Sequence, residues 1–395
     1  MIKLLSGSAS VGIIYGIFNF VLIPYLNGKF HSTALAGNLV SAGMIITIFT
    51  GMLIGYLGDR SKKYLAFIKG LFIITIISMF ILSTNNKILL GIAAVVFTMS
   101  IFSLLTPYSA LVSNVSKPGR KDRNYGFMMG IMNIATFLSS LFIGVTLSRS
   151  GETAFVVFSI AAAVLVVPLF FYRAESHIVD SAVGIKEEDL RFRVDRKIVC
   201  VMISQFGLWF SMGGILPYLT SFISSDIGVS LGTASSIMGI STLVSGVTSL
   251  MTGTLSKTLG QKRLHITALS ILAGVFLSVS IFYSGFLGLD PFLMLIVLIL
   301  FSFALGIVLA LNVTIVSDTV SLANQGKIFG LNNIVMVLSQ SLALSLIGSL
   351  ISLSGYNLAF VFVAAGFAVA IVFFVMSSYV VEKPTHNMRR AKHRE

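Results

Sequence analysis

The chain has 395 residues, 56% of them hydrophobic and 10% charged, with a mean hydropathy of +0.98 and a formal net charge of +13. A soluble domain this apolar would expose very large greasy patches, so a soluble globular protein is excluded. So is an outer-membrane barrel, whose strands of about 10 residues alternate in polarity, because the apolar segments here are of helix length.

A membrane span needs about 20 mostly apolar residues. Taken in chain order, breaks at Gly, Asn, Pro and charge clusters predict twelve spans: 6–26, 34–56, 64–83, 88–112, 125–147, 153–172, 197–222, 231–254, 264–284, 291–317, 327–351 and 357–380. The first is too long for a signal-peptide core and lacks a small-residue cleavage site, so it reads as a retained helix. The single cysteine, Cys200, excludes an intramolecular disulfide.

Charge tests the span count independently. With the N-terminus in the cytosol, 23 of the 27 Lys and Arg residues fall on the cytosolic side and three on the other, Lys29, Lys87 and Arg149, with Lys69 inside the third span. That is the positive-inside pattern, and it accounts for the basic balance without nucleic acid. Both termini are therefore expected in the cytosol. Segment 173–196 is the only long charged stretch between spans. The expected organisation is an N-terminal six-helix bundle (1–172), a cytosolic linker (173–196), a C-terminal six-helix bundle (197–381) and a basic cytosolic tail (382–395).

The two halves repeat each other. Gly126-x3-Gly130-x2-Asn133-Ile134 recurs 200 positions on as Gly326-x3-Gly330-x2-Asn333-Ile334, and Ile23-Pro24-Tyr25-Leu26 recurs as Leu216-Pro217-Tyr218-Leu219. Gly55-x-Leu57-Gly58-Asp59-Arg60-x-Lys62-Lys63 after span 2 has a degraded copy at Gly253–Arg263. A duplicated membrane bundle usually builds one site between its halves and alternates access to it.

The motif at 55–63, its copy, and the 6+6 split resemble the major facilitator superfamily over the whole chain. The resemblance implies an all-α membrane protein of 12 transmembrane helices in two pseudo-symmetric six-helix bundles, and a transporter working by alternating access. It also implies that Gly55, Gly58, Asp59 and Arg60 belong to a cytosolic latch, with Arg120 or Arg123 as a partner for Asp59; Asp318, the second-half echo of Asn114 at the end of span 10, is a further gating candidate. Lys257 stands where the copy would carry Asp59, so that loop is assigned no equivalent latch. The run from Asn324 to Gln340, with Pro107-x2-Ala110-Leu111, resembles sucrose transporters and the related glycoside–pentoside–hexuronide carriers; Asn114 replaces an Asp usual in that branch. Span 5 lacks the Gly-Pro pair of drug–proton antiporters.

Ionisable groups at membrane depth are costly and default to functional suspects, yet no Asp, Glu or His falls near the middle of a span. That argues against a buried carboxylate relay. Lys69 either snorkels to the interface or faces the bundle interior. Neutral polar residues remain. On the helices that line the cavity in the family, the candidates for substrate binding are Tyr15, Asn19, Ser103, Asn133, Gln205, Trp209, Asn312, Asn333 and Gln340. Gln205 and Trp209 are i, i+4 and share a helix face; an amide beside an aromatic platform suits a sugar. The competing role for these residues is hydrogen bonding between helices, and the Gly-x3-Gly pairs (Gly12/Gly16, Gly51/Gly55, Gly126/Gly130, Gly326/Gly330) read as helix-packing contacts. No catalytic cluster, metal-ligand spacing or phosphate-cradling loop is present, so neither an enzyme nor a cofactor is expected. The expectation is a monomeric, multi-pass carrier in the plasma membrane for a small neutral solute, a sugar or glycoside, with export of amphiphilic or hydrophobic compounds as the alternative.

Overall fold

A computed structural model describes residues 2–61, 64–115, 121–172, 194–283, 291–320 and 325–379. Its helices are α1 (Ile2–Ile17), α2 (Ile23–Phe30), α3 (Thr33–Ser61), α4 (Tyr64–Ile81), α5 (Lys87–Val115), α6 (Lys121–Ser150) and α7 (Thr153–Phe170), then α8 (Arg196–Ser225), α9 (Leu231–Leu259), α10 (Gln261–Ile281), α11 (Pro291–Ser317), α12 (Gln325–Ser354) and α13 (Tyr356–Tyr379). Among the described residues ten helical stretches are long and apolar enough to cross a membrane, and shorter apolar stretches at Leu65–Ile81 and Gly130–Ile143 supply the two remaining spans. The linker through 193, Arg120 and the tail beyond 379 lie outside the described residues.

Span 1 is not the simple helix expected over 6–26. A π turn, Phe18–Leu22, joins α1 to α2, and the span continues to Phe30. Pro24 supplies the reason: its ring crowds the carbonyl four residues back and it donates no N–H, so a widened turn relieves the clash. Asn19 lies in that turn.

The end where α1 begins and α3 finishes is called the near face, and the end where α2 finishes and α3 begins the far face. Within the first half α1 packs on α6 and α7, α3 on α5, and α4 on α5 and α7. The second half repeats this: α8 on α12 and α13, α9 on α11, and α10 on α11 and α13. The same five helix pairs therefore build both bundles, the packing counterpart of the sequence repeat. Glycine permits the closest of these approaches. A β-carbon at Gly12 would sit 2.7 Å from that of Ala135, and one at Gly214 2.7 Å from that of Ala343. Gly12 and Gly16 are packing glycines, as expected.

Two further pairs, α3 with α12 and α6 with α9, join the bundles, and the π turn touches α8. The α3–α12 seam lies toward the far face. Ser41 Oγ donates to the Ser341 carbonyl at 2.8 Å, Ser341 Oγ donates back to the Ser41 carbonyl at 3.2 Å, and Ser345 Oγ donates to Asn38 Oδ1 at 2.6 Å. The Tyr218 hydroxyl donates to the Leu344 carbonyl at 2.8 Å and abuts Gly37 and Gly348. Its repeat twin Tyr25 likewise donates inside its own bundle, to Leu82 at 2.7 Å. What Tyr218 adds is the contact of its hydroxyl with Gly37 of α3, in the other bundle.

Removing the Tyr218 hydroxyl deletes its bond to the Leu344 carbonyl and its contact with Gly37 of α3, a cost of about 1 kcal/mol. Tyr218→Phe is therefore expected to raise accessibility of a thiol at Ser41 to impermeant reagents. Unchanged labelling would show that the hydroxyl does not help hold the far face closed.

Candidate functional site

The polar candidates fall into two groups. Those of the first bundle are largely spoken for. Ser103 Oγ lies 2.6 Å from Thr50 Oγ1, a contact between α5 and α3. Ser100 accepts from Thr75 at 2.8 Å, and Ser8 lies 3.2 Å from the Tyr108 hydroxyl. Asn133 faces α9, where a β-carbon at Gly246 would meet it at 4.0 Å. Tyr15 is half-buried and joins Phe18 and Phe102 in an aromatic cluster, with centroids 6.2 and 6.0 Å away. Asn19 is also half-buried.

The second bundle is different. Among the described residues, the buried side-chain polar atoms without a hydrogen-bond partner all belong to the C-terminal half: Gln205 Oε1, Trp209 Nε1, Thr220, Ser221, Ser235, His265, Asn312 Oδ1 and Asn332 Oδ1. Gln205 is 1% exposed and Asn312 5%. An unpaired buried polar group costs about 1–3 kcal/mol, so several in one bundle are maintained against stability. Counting about 1.5 Å per residue from the near end of each helix, Trp209 and Tyr15 lie about 20 Å deep, Gln205 about 14 Å, Asn332 about 11 Å and Asn312 about 8 Å. The two half-buried aromatics, one from each bundle, thus share a level, with an amide belt between them and the near face.

Asn332 is not singled out by the sequence, which favours its neighbour Asn333. Asn333 is half-buried and engaged in an interaction of its own. The amide–amide pair is visible as Asn332-Asn333; which of the two has the unpaired atom depends on helix rotation, which a short motif does not encode. Gln340 packs its aliphatic stem onto Gly213 and joins α12 to α8.

Three remaining expectations resolve geometrically. Lys69 donates to the Phe170 carbonyl at 2.8 Å and lies 5.8 Å from that ring's centroid, so it caps the end of α7. His265 is 1% exposed and its ring stands 4.6 Å from that of Phe374, which places it between α10 and α13, away from the amide belt. A β-carbon at Gly51, Gly130 or Gly330 would meet nothing within 4 Å, so in this arrangement these are not the packing contacts the Gly-x3-Gly spacing suggested. Gly55, Gly58, Asp59 and Arg60 fall on the last turns of α3 and Arg123 on the first turn of α6; their side chains lie outside the described residues. Asp318 is exposed just past α11.

A groove of about 290 Å³ lies elsewhere, on the outer side of α1, α6 and α7, where Ile134, Leu138 and Phe142 are exposed. Its lining is apolar apart from Ser139, as expected of a surface that meets lipid. Among the described residues no group of His, Cys, Asp or Glu is arranged to hold a metal ion.

Comparison with known proteins agrees with this architecture. The family model of the Major Facilitator Superfamily matches residues 4–194 and 201–395. No curated protein matches by sequence. Solved structures match the fold across almost the whole chain. The nucleoside transporter NupG is 14% identical, with a TM-score of 0.73, over 96% of this chain and 99% of that one. The xylose transporter XylE from E. coli, in an inward open conformation, is 14% identical, with a TM-score of 0.71, over 99% and 97%. A bacterial homolog of the human lysosomal transporter Spinster, inward-facing and occupied, is 14% identical, with a TM-score of 0.75, over 97% and 98%. At such identities the likeness is one of fold. With the family match covering both halves and the repeated helix pairing, this chain belongs to the Major Facilitator Superfamily and is an integral membrane transporter with the twelve-span fold, not an enzyme.

Proposed function

We propose that the chain carries a small neutral polar solute, a sugar or glycoside, across the plasma membrane by alternating access, with its near face in the cytosol. The observation that carries this reading is the set of unpaired buried atoms on Gln205, Trp209, Asn312 and Asn332. Three amides and one indole offer acceptors and donors but no charge, which suits hydroxyl groups and suits an ion poorly. Tyr15 and Trp209 add ring faces for the C–H side of a sugar. The far-face seam between α3 and α12 corresponds to a state closed on the outside. The division at 173–196 and the monomeric state are parts of the same proposal, as is the cytosolic placement of both termini indicated by the Lys and Arg distribution.

The test is counterflow of labelled sucrose, maltose and phenyl β-glucoside in proteoliposomes without an ion gradient. Exchange of any one supports the reading. Failure of all three, with a folded protein that exchanges an amphiphilic dye, moves the assignment to amphiphile export, which the Tyr15–Phe18–Phe102 cluster would then serve.

Coupling follows from the same inventory. A protonatable carboxylate at membrane depth is absent from the sequence, and His265 lies away from the belt, so counterflow is expected to be unchanged by an imposed pH gradient. Accumulation driven by that gradient would overturn the facilitative part of the proposal.

A further inference from the structure

Two lysines of the first bundle are satisfied unequally. Lys29, near the far end of α2, donates to Asn85 Oδ1 at 2.8 Å and is ion-paired with Glu152. Lys69 stands five residues past the start of α4, about 8 Å in from its near end. An ammonium has three donors, and here one of them reaches the Phe170 carbonyl at 2.8 Å. Among the described residues no carboxylate lies within ion-pair distance of it. The end of α7 offers only the partial negative charge of a helix C-terminus. A whole positive charge inside a span is thus left with a fraction of a counter-charge, and such a charge is costly at membrane depth.

Lys69 also heads an apolar surface. Lys69, Ile73, Ile77 and Phe80 follow one another at three or four residues and share one face of α4, and the three apolar members are exposed. On α7 the exposed Ile160, Val164 and Val167 form a second row. α4 packs on α7, and the bond from Lys69 to Phe170 sets the head of the first row at their border, so the rows flank one seam. From Lys69 to Phe80 the row is about 16 Å long, close to half of a hydrocarbon core about 30 Å thick. Helix side chains lean toward the helix N-terminus, which for α4 is the near end. The ammonium therefore leans toward the near-leaflet headgroups, as a snorkelling lysine does. The second bundle lacks this cation. Repeat offsets of 198 and 200 carry Lys69 to Thr267 and Leu269, and the neighbouring His265 is turned inward against Phe374.

We infer that α4 and α7 hold one anionic phospholipid of the near leaflet, its phosphate on the Lys69 ammonium and an acyl chain along Ile73, Ile77 and Phe80. Charge complementarity selects this occupant. A second copy of the chain docked face to face would bring a second Lys69 to the same apolar surface and bury two unpaired cations. A zwitterionic lipid also carries a phosphate, but its own ammonium offsets the charge that Lys69 lacks. An anionic lipid supplies net negative charge at one end and apolar chain at the other, in the order in which α4 presents their complements. The site lies on the outside of the first bundle and does not depend on which solute the chain carries.

The full chain in detergent is titrated with dioleoylphosphatidylglycerol or dioleoylphosphatidylcholine, and bound lipid is counted by native mass spectrometry. Wild type is expected to hold one phosphatidylglycerol about fivefold more tightly than phosphatidylcholine, and to melt at a higher temperature with it. Lys69→Gln, whose amide can still donate to the Phe170 carbonyl, is expected to lose that preference, and Lys69→Arg to keep it. Lys262→Gln, which removes an exposed charge at the start of α10, is the comparison. An unchanged preference in Lys69→Gln overturns the site. So does an equal loss in Lys262→Gln, which would assign the preference to the basic near face as a whole. A lipid-free dimer that is lost in Lys69→Gln would put a second copy on this face instead. A second measurement needs no variant: wild type is photolabelled with phosphatidylglycerol carrying a diazirine in its acyl chain. Label is expected in peptides containing 73–80 and 160–167, and equal labelling of α10 and α13 overturns the site even if Lys69→Gln does not fold.

Discussion

Oxidation of a Cys200→Ser/Ser41→Cys/Ser341→Cys variant is expected to stop counterflow, by at least about 100-fold, and reduction is expected to restore it. The two hydroxyl oxygens are 2.9 Å apart, and sulfurs at those positions need only a small side-chain adjustment to bond. What the bond would replace is weak. The seam between α3 and α12 is held by neutral hydrogen bonds among Ser41, Ser341, Asn38 and Ser345. Such bonds between membrane helices average about 0.6 kcal/mol and rarely exceed 2. Their sum is a few kcal/mol, comparable with the roughly 5.5 kcal/mol of differential ligand affinity that carries a two-state equilibrium from 1:99 to 99:1. A seam of this strength holds a state and still lets a solute release it; a covalent bond does not. If the oxidised variant exchanges substrate at the reduced rate, the far-face seam does not open during transport, and the alternating-access proposal fails with it.

Much of the architecture is legible without any coordinates. The spans follow from hydrocarbon thickness, and the split into halves from the repeat, because both act through composition and spacing along one helix. The π turn is not legible. Pro24 announces a break, but whether the chain kinks, stops or widens depends on what packs around it. The seams are invisible for a related reason. Ser41 and Ser341 carry no motif, and the pairing of helices 300 residues apart is fixed by how two bundles settle on each other. The candidate site is half legible. Gln205 and Trp209 declare themselves by spacing and by the scarcity of Trp. Ser103 is a candidate only by its place on a cavity-lining span, and it lies within bonding distance of Thr50. Lys69 is ambiguous in the sequence because one backbone carbonyl, that of Phe170, decides between a cap and a buried charge.

The distinction between a paired and an unpaired polar group gives the second large effect. Gln205→Leu keeps similar volume and removes the buried amide oxygen that lacks a partner. If Gln205 were glue between helices, the change would destabilise the protein. As a ligand group awaiting its partner, it should behave in the opposite way. Relief of an unsatisfied buried acceptor is worth about 1–3 kcal/mol, so the empty protein is expected to melt at a higher temperature than wild type. Affinity is expected to fall by about 100-fold, because a hydroxyl of the bound solute would then be buried unpaired against leucine. Ser103→Ala is the complementary change. It breaks the contact with Thr50, so it should cost about 1 kcal/mol of stability and leave affinity intact. Both quantities can be read on one sample, since Trp209 is the only tryptophan of the chain and its fluorescence reports ligand arrival as well as unfolding. A Gln205→Leu protein that melts lower and binds normally would place Gln205 with Ser103 among the packing residues, and the amide belt would lose its central member. A protein that melts higher and binds poorly would fix the second bundle as the side on which the solute is recognised. It would also explain why that bundle alone, among the described residues, keeps buried polar atoms waiting.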